Sequence, residues 1–146
     1  MADLGRWPNN PTVPKLNLID SYDRHAFERL EAISVGLSTN FDRVRMLPEK
    51  DIDRALSCAL LFACLSTHDR AITLGRELLA EVDPAWLIAR IERIADTQID
   101  FEDEWDYRRL LELYQSLDAG LLAKIVSRGL ISGRPDLVEA AEDFSK

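Results

Sequence analysis

Long apolar runs are missing from this chain. The longest, Cys58 to Leu65, falls far short of the roughly 18 residues that a membrane helix needs. Met1 to Asn10 lacks the basic-then-apolar pattern of a secretory signal, so cytoplasmic residence is expected. Cysteine is scarce, with only Cys58 and Cys64, and both fall in one predicted helix. Six residues of helix rise about 9 Å, while a disulfide needs its Cα atoms within about 7 Å. The pair is therefore expected to be reduced and partly buried. Neither a CxxC spacing nor a neighbouring histidine pair completes a metal ligand set, so no metal or cofactor is expected. A Gly-rich phosphate loop, HExxH and GxSxG are all absent. Histidine occurs only at His25 and His68, 43 residues apart, where structural or surface roles are expected. These gaps argue against an enzyme. Alternating β-branched runs are absent too, which argues against a sheet.

Basic residues are missing from one stretch in particular. Residues 96–106 hold six acids and no Lys or Arg, and they carry −6 of the chain's net −8. The remaining residues carry −2. A nucleic-acid binder needs the opposite bias, because Lys and Arg must neutralise phosphates, so direct nucleic-acid binding is not expected.

What is present is helical periodicity, in a chain of 146 residues that is long enough to bury a core. Pro8, Pro11 and Pro14 mark residues 1–20 as an extended arm, because proline fixes φ and biases its predecessor away from helix. Residues 21–146 read as a single all-helical domain. Phe27, Leu30, Ile33 and Leu37 give a first helix, ended by Gly36, and Phe41 to Leu47 follow as a short helical turn or loop. A second helix opens at Pro48. It is apolar on most sides through Ile52, Ala55, Leu56, Ala59, Leu60 and Ala63, so it is expected at the centre. A third runs from about Asp69 to Glu81, with Thr67 as its cap. Asp83-Pro84 opens a fourth as a cap followed by proline at the first helical position. Tyr107, Leu110, Leu111, Tyr114 and Leu117 define a fifth, from about Glu104 to Leu117. A sixth ends near Arg128, with Gly129 in the left-handed conformation that closes it. A seventh runs from Pro135 to Phe144, where Asp136 and Glu139 resemble a capping box. The expected class is all-α: about seven helices in antiparallel pairs, since short links make consecutive helices neighbours.

From Asp106 to Phe144 the chain resembles HEAT-type helical repeats. Pro135-Asp-Leu-Val-Glu-Ala-Ala141 is similar to the start of a HEAT unit, as is the Asp83-Pro84 opening. Tyr107 to Leu113 also resembles runs in small bacterial helical proteins without assigned activity. The resemblance implies a binding scaffold, either a small HEAT-like solenoid or an irregular helical bundle. It supplies no catalytic residue. The chain departs from the pattern in showing no self-match at the roughly 40-residue HEAT period.

The candidate site is the acidic and aromatic run of Asp96, Asp100, Phe101, Glu102, Asp103, Glu104, Trp105 and Asp106. Two readings stand side by side. It is a solvated loop and helix start, with Glu104 and Asp106 placed where the helix dipole favours acids. Or it is a docking surface for a basic protein, with Phe101 and Trp105 as anchors and the acids setting rate and register. The docking reading implies an acidic protein-binding module. Its most concrete form is an immunity or antitoxin-like inhibitor of a bacterial toxin such as a nuclease, whose phosphate-holding cleft is basic. A general helical adaptor and an enzyme built around His25, His68 and carboxylates are the alternatives. Arg108 and Arg109 are expected to pair with nearby acids, such as Glu112.

Overall fold

The computed structural model describes residues 21–64 and 68–145. The arm expected over residues 1–20 and the Thr67 cap lie outside them. Among the described residues there are seven α-helices, one 3-10 helix and no strand. The helices are α1 (Ser21–Ile33), α2 (Glu49–Cys64), α3 (Asp69–Ala80), α4 (Pro84–Gln98), α5 (Glu104–Leu117), α6 (Ala119–Leu130) and α7 (Pro135–Phe144). The 3-10 helix, Phe41–Met46, lies between α1 and α2. The chain is all-α, as its periodicity predicts.

Helix α2 is the hub. It packs against α1, α3, α4, α5 and the 3-10 helix. Its buried residues, Ile52, Ala55, Leu56, Cys58, Ala59, Leu60, Phe62, Ala63 and Cys64, occupy most of its circumference. Both cysteines are free and buried. The closest approach is to α3, where Gly75 faces the α2 backbone. A Cβ placed on Gly75 would come within 2.6 Å of the Ala59 carbonyl oxygen. Small residues on both helices let the backbones meet, and any larger side chain there would force them apart.

Helices α5, α6 and α7 form a second grouping in which all three pairs touch, and α5 joins it to α2. Tyr107 is buried at its centre and donates its hydroxyl to the Ile125 carbonyl. This corrects the expectation for Gly129. The glycine does not end α6 but lies within it, where a Cβ would collide with the Tyr107 ring. The left-handed residue of this turn is Gly133, with φ of 78°. The Asp136–Glu139 capping box does not form either. Arg134 occupies the N-cap position without a side-chain bond, and Asp136 instead pairs with Arg134 at 3.2 Å.

Pairing of consecutive helices holds for α2–α3, α5–α6 and α6–α7. It is not the main contact of α3 with α4, although only residues 81–83 join them, because both pack chiefly on α2. The 3-10 helix fastens that link: Glu81 accepts from the Phe41 N–H, and Asp42 accepts from the Asp83 N–H, both at 3.0 Å. Asp42 is also gripped by Arg45 at 2.6 Å. At the end of α1, Glu31 organises the turn by accepting from the N–H groups of Gly36 and Ser38, each at 3.0 Å, and from the Ser38 hydroxyl at 2.6 Å. Burial alone would raise the Glu31 pKa. These donors, with Arg43 nearby, outweigh it and hold the carboxyl below its ordinary value.

Candidate functional site

The acidic run spans the last turn of α4, a tight link and the first turn of α5. Ile99 closes α4 in an extended conformation, its N–H bonded to the Ala95 carbonyl at 2.9 Å. Asp100 shapes the link by accepting from the Glu102 N–H at 2.9 Å. Asp103 is the N-cap of α5, accepting from the N–H groups of Trp105 and Asp106 at 2.9 and 3.1 Å. These two acids satisfy backbone donors that the helix leaves open.

The remaining carboxylates divide by partner. Glu104 pairs with Arg108 at 3.0 Å, and Arg108 also reaches Asp143 of α7 at 3.1 Å. Both arginines thus pair with nearby acids as expected, Arg108 with Glu104 and Arg109 with Glu112 at 3.0 Å, and Glu112 also takes Arg76 of α3. Asp96 and Glu102 are held more loosely, by Arg128 at 3.7 Å and Arg134 at 3.6 Å. Asp106 is partly buried, and burial pushes its carboxyl above the usual range, with Asp103 and Asp100 adding to the effect.

The two aromatic residues behave differently. Phe101 packs against the core and lies under Arg128, whose guanidinium carbon is 3.6 Å from the ring centre. Trp105 is 64% exposed. It stands at the start of α5, next in sequence to the capping and paired acids, while Glu102 in the adjoining link has a side chain 82% exposed.

The structure also brings in residues that lie far along the chain. The turn between α6 and α7 meets the α4–α5 link through Arg134 and Glu102. Phe101, Arg128, Ser132 and Leu137 surround a small cavity of about 220 Å³ between them. Leu130, the last residue of α6, and Ile131 of this turn are exposed, Ile131 at 85%. One end of the α5–α6–α7 grouping therefore shows an indole, two aliphatic side chains, the largely exposed carboxylate of Glu102 and two arginines. The run of acids was visible in the sequence. Its partners Arg128 and Arg134 were not, because their register is set by the packing of α6 and α7 on α5.

The other titratable candidates lie elsewhere in the chain. His68 caps α3, its Nδ1 accepting from the Arg70 N–H at 3.1 Å, and His25 sets its ring edgewise to Phe62. Burial raises the Cys58 thiol and pushes Cys64 up to about 12, so neither ionises near neutrality. Trp86, in the first turn of α4, is half-buried beneath Arg90. Among the described residues no group of three His, Cys, Asp or Glu is placed to hold a metal ion, and no helix is long and apolar enough to cross a membrane.

In comparisons with known proteins, no family model matches the chain, and neither the curated proteins nor the solved structures give a match.

Proposed function

We propose that the protein is an acidic, non-enzymatic protein-binding module that docks a basic partner through the end of the α5–α6–α7 grouping. The observation that supports this reading most is the exposure of Trp105. Tryptophan is enriched among the residues that anchor interfaces, and the exposed carboxylate of Glu102 stands on the adjoining link. Leu130 and Ile131 are further exposed apolar side chains at the same end. Exposed apolar and charged side chains together are what a docking face needs. Its concrete form is an immunity or antitoxin-like inhibitor that covers the basic cleft of a toxin such as a nuclease.

The test is retention of a partner on the immobilised full chain from an extract of the native host, at low and high salt. The reading expects a basic protein that binds at low salt and is released as salt rises. Trp105→Ala is expected to weaken binding roughly thirtyfold, the equivalent of an anchor worth about 2 kcal/mol. Glu102→Lys is expected to slow association and flatten the salt dependence. A partner without basic character, or binding unmoved by either substitution, would count against it.

A specific observation favours the second reading, a general helical adaptor. Asp100, Asp103 and Glu104 already serve the chain's own backbone and Arg108. In that case the acidic run is chiefly architecture, and Glu102→Lys leaves partner affinity within about twofold, as expected of an exposed charge that makes no interface contact.

A further inference from the structure

A groove of about 520 Å³ opens between α1, α2 and Gln98, the last residue of α4, which lies within the acidic run between Asp96 and Asp100. Its volume falls within the roughly 300–1,000 Å³ of small-molecule sites. We propose that this groove binds a small organic anion with an apolar body, an alkyl or aryl carboxylate.

The lining follows from helical spacing. Arg29, Ala32 and Ile33 project from α1, while Arg54, Ser57, Cys58 and Leu61 project from α2. Ile33, Cys58 and Leu61 supply apolar surface for the body of a ligand. The charges at the mouth are unequal. Asp53 is engaged by Arg93 through two bonds of 2.9 and 3.0 Å, which neutralises the single acid of the lining. Arg54 makes only one 3.4 Å contact with Asp51 and is otherwise exposed. Arg29 makes no hydrogen bond or ion pair with any described residue, and its charge is felt at Cys58.

The groove therefore presents two available guanidinium groups above an apolar floor, in a chain whose net charge is −8. A guanidinium is a planar fork of donors that matches a carboxylate's two oxygens. A cationic amphiphile would be repelled by the same pair. A neutral alcohol would fill the floor but leave the forks without a partner.

The experiment titrates the full chain with octanoate, 1-octanol, octylamine and acetate and follows backbone amide shifts by NMR. Octanoate is expected to shift Ala32, Ser57 and Leu61 saturably. Octanol and acetate are each expected to bind at least tenfold more weakly, and octylamine not at all. Arg29→Gln combined with Arg54→Gln alters exposed side chains only, and is expected to weaken octanoate at least tenfold, as loss of charge-assisted hydrogen bonds would. Absence of shifts at these residues, equal binding of octanol or octylamine, or octanoate binding unchanged in the double variant would each overturn the proposal. Acetate binding as tightly as octanoate would also overturn it, because the apolar floor would then play no part.

Discussion

The crossing of α2 and α3 and the corner between α4 and α5 are built on opposite principles. At the crossing, Gly75 meets Ala59 and Ala63 with backbone against backbone, and shape alone decides what fits. At the corner, Asp103 caps α5, Arg108 joins Glu104 to Asp143, and Arg128 and Arg134 lie across from Asp96 and Glu102. Side chains exchange partners easily at such a surface, and an exposed ion pair contributes little, about 0–1 kcal/mol. Rigidity therefore resides at the hub, and chemical variability at the edge.

The sharpest way to break this contrast is to enlarge Gly75. Gly75→Val places atoms where the α2 backbone already stands, and we expect a loss of about 3 kcal/mol or more in urea denaturation. A loss below about 1 kcal/mol would mean that the two helices can part without penalty. Glu31→Ala comes next, because three donors lose their acceptor. Loss of hydrogen bonds to a charged group is expected to cost about 2 kcal/mol. Since the folded carboxyl has a lowered pKa, its contribution is present above the ordinary value of 4.5 and fades as pH falls through the lowered one. The difference between wild type and variant should therefore narrow in acid, and a pH series of melting curves reads it directly.

Smaller effects belong to the corner. Asp103→Ala removes the α5 cap and is expected to cost about 1 kcal/mol, whereas Glu102→Lys should stay within about 0.5 kcal/mol. Equal costs for the two would erase the distinction between a capping acid and one in a loose, exposed ion pair. Asp106→Asn should have the opposite sign. A carboxyl whose folded pKa is raised favours the fold when protonated, a benefit lost as pH rises through that raised value. The neutral amide should therefore stabilise the protein at pH 7 by less than about 1 kcal/mol, and the gain should vanish as pH drops below the ordinary aspartate value.

Much of the scaffold was legible in the residues. The Asp83-Pro84 start of α4, the Glu104–Leu117 span of α5 and the central place of α2 follow from caps and apolar spacing, which are local properties. The misreadings concern residues whose role depends on a distant partner. Gly129 looks like a helix terminator until Tyr107 is seen to fill the space beside it. Asp136 looks like half of a capping box until Pro135 takes the first helical position and leaves Arg134 at the cap. Likewise, the short link after α3 suggests a hairpin, but the 3-10 helix fastens that link and α4 settles on α2. For the candidate site, the acids and the two aromatics were legible as types. That Phe101 would be roofed by Arg128 while Trp105 stood in solvent was not, since it depends on how α6 lies against α5.

The solvent exposure of Trp105 also equips the molecule with its own optical probe. An indole beside Glu102 and Asp103 sits in a locally anionic atmosphere, so caesium should quench its fluorescence more readily than iodide at matched ionic strength. Subtracting the Trp105→Phe emission isolates that signal from Trp7 and Trp86. Arginines 108, 128 and 134 would betray themselves in the same measurement: were they to dominate the local field, iodide would be the better quencher.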